Sequence, residues 1–255
     1  MSADLAFLAV GDAGPPALLL HGFGSDRSSW RLNQGEIGKL ARSVAVDLPG
    51  HGKSTLDVGD GSLAALGRAV EAFAERRFSE PAHLFGHSLG GALAVDLAHR
   101  RPDLVRSLFL VAPAWLGKRV DADFLARYPE MRTIEEAEAL LRGIVARPRL
   151  VGRQMAAAVL AELDRPGIRP ALRKIAAGLL HAGPAVADAA AAVGRTPLPR
   201  QVVWGEADLT RAPDETSLGA FRGEVKVLPD TGHLPHMENP AAVNRLMRAH
   251  LEAVG

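Results

Sequence analysis

The residues with the clearest chemical potential in this sequence are Gly86-His87-Ser88-Leu89-Gly90-Gly91, a serine held between closely spaced glycines. An apolar run, residues 82–85, precedes them, and a helix-like run, residues 92–98, follows. A G-x-S-x-G turn between a strand and a helix pushes its central residue towards positive φ and presents the serine oxygen as a nucleophile. Gly86 and Gly90 lack a Cβ, so neighbouring backbone can approach closely. Taken alone, the motif also fits a glycine-rich turn that holds a serine for structural reasons.

Two backbone amides near this serine could stabilise negative charge on a carbonyl oxygen under attack. The N–H of Leu89 would lie at the N-terminus of the following helix, where unpaired donors and the helix dipole favour an anion. His21-Gly22-Phe23-Gly24 follows the apolar run 17–20, and a glycine turn after a strand can aim the Phe23 N–H at the same point. We therefore predict an oxyanion hole from the amides of Phe23 and Leu89. The alternative for residues 21–24 is an ordinary strand-to-helix turn.

An acid and a base follow two later strand candidates. Asp208 ends the segment Trp204-Gly205-Glu206-Ala207-Asp208, and His233 ends Asp230-Thr231-Gly232-His233. Loops at the carboxyl ends of neighbouring parallel strands meet at one edge of a sheet, where ligands bind. Neutral His233 would accept the Ser88 proton, and Asp208 would fix the tautomer of His233 and stabilise its imidazolium. The order serine, acid, histidine along the chain is the one used by G-x-S-x-G hydrolases.

Other residues compete for these roles. His236 lies three residues after His233 and is an alternative base, while Asp121 or Asp123, after an earlier strand candidate, is an alternative acid. Three further polar residues are interpreted as structural, namely Asp47 and His51 in a Pro- and Gly-containing turn and Glu238 as support for the start of the last helix.

The elements that must position these residues alternate along the chain. Short, mostly continuous apolar runs are typical of strands buried on both faces of a parallel sheet, and they occur at residues 5–10, 17–20, 43–46, 82–85, 107–111, 201–204 and 224–228. Segments of helical spacing separate them, and the last one has Asn239 as its predicted N-cap and Pro240 at its first position. The alternation predicts an α/β fold with a doubly wound, mostly parallel sheet and right-handed crossovers.

The alternation stops between about Trp115 and Arg195. This region is rich in Ala, Leu and Arg, contains no convincing strand and is punctuated by prolines. We predict a helical cap, or lid, over residues 114–195, inserted into a core formed by residues 1–113 and 196–255. The alternative is a solvated helical surface with no part in binding.

Composition excludes several classes of function. The net charge of +1 over 255 residues provides no electrostatic basis for binding nucleic acid or an anionic membrane. The absence of cysteine removes thiolate catalysis, disulfides and cysteine-bound zinc, and we expect no metal or other cofactor. Residues 5–10 are too short for a signal segment or a membrane span, so a cytoplasmic location is expected. The expected partner is a small acyl substrate, and the oligomeric state stays open.

With these motifs in place, the sequence resembles the α/β-hydrolase fold superfamily over nearly its whole length. The resemblance is carried by residues 21–24, the turn 47–54, the elbow 86–91, and the segments 204–208 and 232–233. Ser88 at the elbow distinguishes the sequence from the haloalkane dehalogenases and epoxide hydrolases, which resemble this fold but use an aspartate there. Together these motifs are specific for the fold and only weakly specific for a substrate.

Within this superfamily, the sequence is most similar to the hydrolase-like domain of the acyltransferase component of acetoin dehydrogenase complexes. The similarity lies in Trp30, in residues 57–63 and in Ala112-Pro113-Ala114. Those proteins carry an N-terminal lipoyl domain, whereas this sequence starts almost at the first hydrolase strand. Acyl transfer to lipoate within one polypeptide is therefore not expected.

Three classes of function remain as hypotheses. The first is a serine hydrolase that cleaves a carboxylic ester, lactone or thioester through an acyl-enzyme on Ser88. The second is acyl transfer, C–C bond hydrolysis or perhydrolysis at the same triad, selected by what the cap admits. The third is a non-catalytic ligand-binding or docking module, although a pure receptor has no need for all three triad members.

Overall fold

A computed structural model of the protein describes residues 5–117, 121–208 and 215–255. Over the described residues, seven strands form one sheet in the order β1-β3-β2-β4-β5-β6-β7. The strands are β1 Phe7–Val10, β2 Pro16–Leu20, β3 Arg42–Val46, β4 Ala82–His87, β5 Val105–Val111, β6 Arg200–Gly205 and β7 Glu224–Leu228. β1 pairs antiparallel with β3, and the other pairings are parallel. The predicted mostly parallel α/β sheet is confirmed.

Helices cover both faces of this sheet. In chain order they are α1 Gln34–Ile37, α2 Leu63–Arg77, α3 Leu89–Arg100, α4 Ala122–Arg127, α5 Ile134–Arg142, α6 Arg153–Leu163, α7 Ile168–Leu179, α8 Gly183–Gly194, α9 Glu215–Phe221, α10 Pro235–Glu238 and α11 Pro240–Val254. Helices α2, α3, α8 and α9 pack on one face, and α1 and α11 pack together on the other.

The two-residue period of the strands divides the core between these layers. In β2, Leu18 and Leu20 belong to the apolar cluster under α2, α3 and α8, whereas Ala17 and Leu19 belong to the cluster under α11. A central strand such as β2 therefore buries apolar side chains on both of its faces, which explains why its sequence does not alternate. The edge strands β1 and β7 are largely exposed, and charged residues such as Glu224 and Lys226 in β7 discourage pairing with another chain.

The described part of the segment predicted as a cap is helical, running from α4 to α8 between β5 and β6. Part of it has an apolar cluster of its own, which includes Tyr128, Leu141 and Leu172. Helix α8 differs because it packs against the core helix α3, and Val186 and Val193 belong to the core cluster. The boundaries at residues 114 and 195 and the role of a lid stay predictions.

Among the described residues, no single helix is long and apolar enough to cross a membrane. The consecutive helices α7 and α8 reach the required length and composition only as a pair, which is bent by 67°.

Candidate active site

Ser88 lies in the tight turn between β4 and α3, with φ 49° and ψ −112°. A Cβ on Gly86 would lie 2.5 Å from the Gly90 carbonyl oxygen, and a Cβ on Gly90 would lie 2.2 Å from the carbonyl oxygen of Leu20. Any side chain at either position would collide with backbone, so only glycine fits. The left-handed backbone of Ser88 costs of order 1 kcal/mol and persists because packing on both sides enforces it.

The two predicted oxyanion donors lie on either side of this serine. Leu89 is the first residue of α3, and Phe23 lies in the turn after β2, where a Cβ on Gly22 would come within 3.3 Å of the Ser88 Cβ. Neither the Phe23 N–H nor the Leu89 N–H donates to another group within the described part of the chain. Both residues line the same cavity as Ser88, so both amides are available to a ligand there.

The predicted base and acid are hydrogen-bonded to each other. The Nδ1 of His233, which follows β7, lies 2.7 Å from Oδ2 of Asp208, which follows β6. Both side chains are buried, and His233 also lines the cavity that contains Ser88. A carboxylate accepts at this contact, so Nδ1 carries the proton and Nε2 is left as the basic nitrogen.

The alternative acid and base candidates lie in other environments. Asp121 accepts a hydrogen bond from the Phe124 N–H at 2.9 Å as the N-cap of α4, and Asp123 forms an exposed ion pair with Arg127 at 3.1 Å. His236 is fully buried, its ring stacks on Trp30 with a centroid distance of 4.6 Å, and neither ring nitrogen has a partner among the described residues. Burial lowers the pKa of His236 to about 3, so it stays neutral.

Asp47 and His51 have the structural hydrogen-bonding roles expected of them, and His51 contacts the turn of residues 21–24. Asp47 accepts from the Arg27 and Lys53 amides, both at 2.8 Å. His51 Nε2 accepts from the Gly24 N–H at 3.0 Å, which leaves Nδ1–H to donate to the Pro49 carbonyl. The turn that carries Phe23 is therefore held by a buried, neutral imidazole, whose pKa burial lowers to about 3.

Two further buried histidines hold the site: His87, predicted as a packing or hydrogen-bonding neighbour of the elbow, and His21, for which the sequence suggested no role of its own. His21 donates from Nδ1 to the Gly22 carbonyl at 2.8 Å and accepts the Leu48 N–H on Nε2 at 2.9 Å. His87 donates from Nε2 to the backbone carbonyl of His233 at 2.9 Å, and a Cβ on Gly22 would lie 2.7 Å from its Nδ1. Both residues adjoin glycine motifs in the sequence, but only the fold shows what their rings contact.

The interpretation of Glu238 as support for the last helix is wrong. Asn239 caps α11 instead, since its side chain accepts from the Ala242 N–H at 3.4 Å. The Glu238 carboxylate is directed to the loop of His233, where it accepts from the Gly232 N–H at 3.0 Å. No pattern in the sequence signals this contact, because its donors are backbone amides.

A cavity of about 640 Å³ opens over Ser88. Its walls combine core residues with residues of the helices α4 to α7, and most are apolar: Phe23, Trp115, Phe124, Leu125, Tyr128, Leu141, Ile144, Met155, Val159, Leu179, Trp204, Leu234 and Met237. The charged side chains on its wall are Asp26, Arg31, Asp121 and Glu162. No cluster of His, Asp and Glu suited to a metal ion occurs in the described ranges. The cavity therefore suits a largely apolar organic ligand.

Tyr128, in the helical region between β5 and β6, lines this cavity and contacts the turn of residues 21–24. Its hydroxyl donates to the Gly24 carbonyl, and its ring packs edge-on against Phe23 with a centroid distance of 5.7 Å. Gly24 has φ +73°, and a Cβ there would lie 2.4 Å from the tyrosine ring. Burial raises the pKa of Tyr128, so the hydroxyl remains a donor at neutral pH.

The buried histidines make the fold sensitive to acid. Burial lowers the pKa of His21 to about 4 and that of His51 and His236 to about 3, and it places the pKa of His87 well below 6.5. Between pH 6.5 and these values the unfolded chain binds protons that the folded chain does not. Each such histidine then lowers the free energy of unfolding by about 1.4 kcal/mol per pH unit of acidification. We expect the urea midpoint to be constant above pH 7 and to fall steeply between pH 6.5 and 5.

His236→Phe provides the matched control, since phenylalanine fills the same space and no hydrogen bond is lost. Between pH 6.5 and 5, unfolding of the variant should take up about one proton fewer than unfolding of the wild type, so its free energy of unfolding should depend less steeply on pH. Its turnover number should be unchanged. A urea midpoint that does not change from pH 7 to 5 in the wild type would contradict this account of the histidines.

A serine at a strand-to-helix turn of a mostly parallel sheet is the arrangement of the α/β-fold hydrolases. Residues 17–246 match the sequence model of the Alpha/beta hydrolase family, and the chain belongs to this family. The predicted fold and the predicted superfamily are thus confirmed.

Individual relatives are consistent with this membership. The dihydrolipoyllysine-residue acetyltransferase component of the acetoin cleaving system of Pseudomonas putida is 34% identical over 241 residues, which are 94% of this chain and 64% of that protein. The chain thus spans less than two thirds of that relative. The pimeloyl-[acyl-carrier protein] methyl ester esterase of Chromobacterium violaceum is 30% identical over 94% of this chain and 95% of that protein. A solved meta-cleavage product hydrolase from Pseudomonas fluorescens IP01 shares the fold, with a TM-score of 0.86 at 22% identity over 99% of this chain and 96% of that chain.

Proposed function

We propose that this chain is a serine hydrolase that cleaves a carboxylic ester, lactone or thioester with a largely apolar acyl group. The observation that carries the proposal is the 2.7 Å hydrogen bond between Asp208 and His233 at the edge of the cavity that also contains Ser88. A histidine oriented by a buried carboxylate beside a serine in a left-handed turn has the parts of an activated nucleophile. The relative that is named a methyl ester esterase and spans nearly the whole chain supports the same chemistry.

In the first half of this reaction, the Ser88 oxygen attacks the substrate carbonyl carbon while His233 Nε2 takes the serine proton. The carbonyl oxygen becomes an oxyanion that accepts from the amides of Phe23 and Leu89, and Asp208 stabilises the imidazolium. The intermediate collapses, the C–O or C–S bond to the leaving group breaks, and the imidazolium proton goes to the leaving group. Ser88 then carries the acyl group as an ester.

In the second half, water replaces the leaving group. His233 removes a proton from the water as its oxygen attacks the acyl carbon, and the same amides accommodate the second oxyanion. Collapse breaks the bond to the Ser88 oxygen, which recovers its proton from His233, and the carboxylic acid leaves. The free enzyme is restored without a cofactor in either half.

A fluorophosphonate probe tests the proposal directly. The probe should phosphonylate folded protein at Ser88, because this hydroxyl shares its cavity with the His233–Asp208 pair and with the amides of Phe23 and Leu89. Mass spectrometry of the digested protein identifies the labelled residue, and acid- or urea-unfolded protein is the control that should stay unlabelled. Folded protein that takes up no label would favour the alternative of a ligand-binding module.

A further inference from the structure

Glu238 is a buried carboxylate, 6% exposed, that contacts the loop of the proposed base on both sides of it. One oxygen, Oε1, accepts the Gly232 N–H at 3.0 Å and the Leu234 N–H at 3.2 Å. These are the residues immediately before and after His233. A single anionic acceptor therefore fixes the backbone that carries the imidazole.

The second oxygen of Glu238 reaches the segment that follows α5. Oε2 accepts the Ala146 N–H at 2.8 Å, and the Arg147 guanidinium donates to the Glu238 backbone carbonyl. Two residues earlier, the Ile144 carbonyl accepts the N–H of His233 itself at 2.8 Å. The loop of His233 is thus joined to residues 144–147 through both a side chain and the main chain.

Close approach of the two segments requires a glycine at position 232. A Cβ there would lie 2.6 Å from the Ala146 nitrogen and 2.8 Å from Glu238 Oε1. The carboxylate also suits its partners, because all three of its donors are backbone N–H groups, of which that of Gly232 is buried and those of Leu234 and Ala146 are partly buried. Hydrogen bonds from N–H groups to an ionised acceptor are about twice as strong as those to a neutral one.

We propose that Glu238 is a positioning residue that holds His233 towards Ser88 and ties it to the helical segment over the cavity. The inference rests on the proposed role of His233 as the base. Ile144 lines the cavity while Glu238 does not, so a ligand that displaces residues 144–147 also displaces His233. Occupancy of the cavity and alignment of the base are then coupled through one carboxylate.

Glu238→Gln tests the proposal. Glutamine keeps the size of the side chain but has one carbonyl oxygen, so it cannot accept from both the His233 loop and Ala146, and its N–H₂ faces a donor. We expect kcat for an ester substrate to fall about 10- to 100-fold, as for a small misplacement of a catalytic group, with KM nearly unchanged. Phosphonylation of Ser88 should slow by the same factor, because it uses the same base.

Asn239→Ala is the matched control. It removes the N-cap of α11 at the adjacent position, which lowers the melting temperature, and it leaves the His233 loop untouched. A purely structural role for Glu238 predicts that both variants lower the melting temperature while kcat and the labelling rate of the folded protein stay at the wild-type level. That result for Glu238→Gln would overturn the proposal. If the proposed hydrolase function itself is wrong, the result is distinguishable, because the wild-type protein would then take up no fluorophosphonate label.

If Glu238→Gln does not fold, hydrogen exchange in the wild-type protein decides. The amides of Gly232, Leu234 and Ala146 share one carboxylate, so they should exchange slowly and at similar rates. Binding of a phosphonate at Ser88 should change the protection of all three together. Fast exchange at Gly232 and Leu234, or a change confined to Ala146, would refute the coupling.

Discussion

Replacement of Ser88 by alanine should lower the turnover of an ester substrate by roughly four to six powers of ten. Alanine removes the only atom that can form the acyl-enzyme, and the aligned His233 and Asp208 then have no serine proton to accept. The amides of Phe23 and Leu89 remain in place, so slow attack by water can still be stabilised at the oxyanion. The loss of activity should therefore appear in kcat, while the affinity of the cavity for the substrate is retained.

The measurement is steady-state turnover together with fluorophosphonate labelling on purified Ser88→Ala. Ser79 is exposed and precedes β4, whereas Ser88 follows the other end of that strand. It provides the control variant Ser79→Ala, which should be indistinguishable from the wild type. Matching circular dichroism and melting curves would show that both variants are folded. Esterase activity near the wild-type level in Ser88→Ala would refute the assignment of the nucleophile.

Replacement of Asp208 by asparagine should lower kcat by about three to four powers of ten. The substitution preserves shape but reverses the hydrogen bond at 2.7 Å, because an asparagine amide can donate to His233 Nδ1. The proton of the imidazole then resides on Nε2, which can no longer accept the proton of Ser88. The developing imidazolium also loses the adjacent negative charge.

Asp123→Asn is the companion variant for this experiment. Asp123 was, with Asp121, one of the two alternative acids from the sequence, and in the structure its side chain is 71% exposed and paired with Arg127. Its replacement should leave kcat unchanged, since an exposed ion pair contributes little. The opposite pattern, with Asp123→Asn inactive and Asp208→Asn active, would assign the acid to the segment after β5.

Much of the fold could be predicted from the sequence because its signals are local. The seven apolar runs correspond to the strands of the described sheet, and their continuous hydrophobicity reflects helices on both faces. Strand ends were less accurate, since β4 extends through Gly86 and His87, which pair with Leu110 and Val111 of β5. Neither residue is a strong strand former, so the extension depends on the neighbouring strand.

The candidate site could be predicted from the sequence because its residues lie directly after the carboxyl ends of strands in a parallel sheet. The elbow around Ser88, the turn at Phe23 and the loops of Asp208 and His233 each follow a strand end, and the sheet gathers those ends at one edge. The sequence favoured His233 over His236, and the structure shows how their environments differ. The two differ by three positions in the sequence, yet only His233 lies against a carboxylate, while His236 is packed on Trp30.

The role of the glycines and the serine of the elbow could be predicted from the sequence, because a tight turn restricts the residue types that fit it. Tertiary structure alone showed how the loop of His233 is held. Glu238 and the segment 144–147 are about ninety residues apart, and they meet through backbone amides, which every residue carries and no sequence pattern marks. The walls of the cavity likewise come from several helices that are separate in the sequence and meet only in the fold. Packing between distant segments, rather than local propensity, decides what can reach Ser88 and how firmly His233 is held.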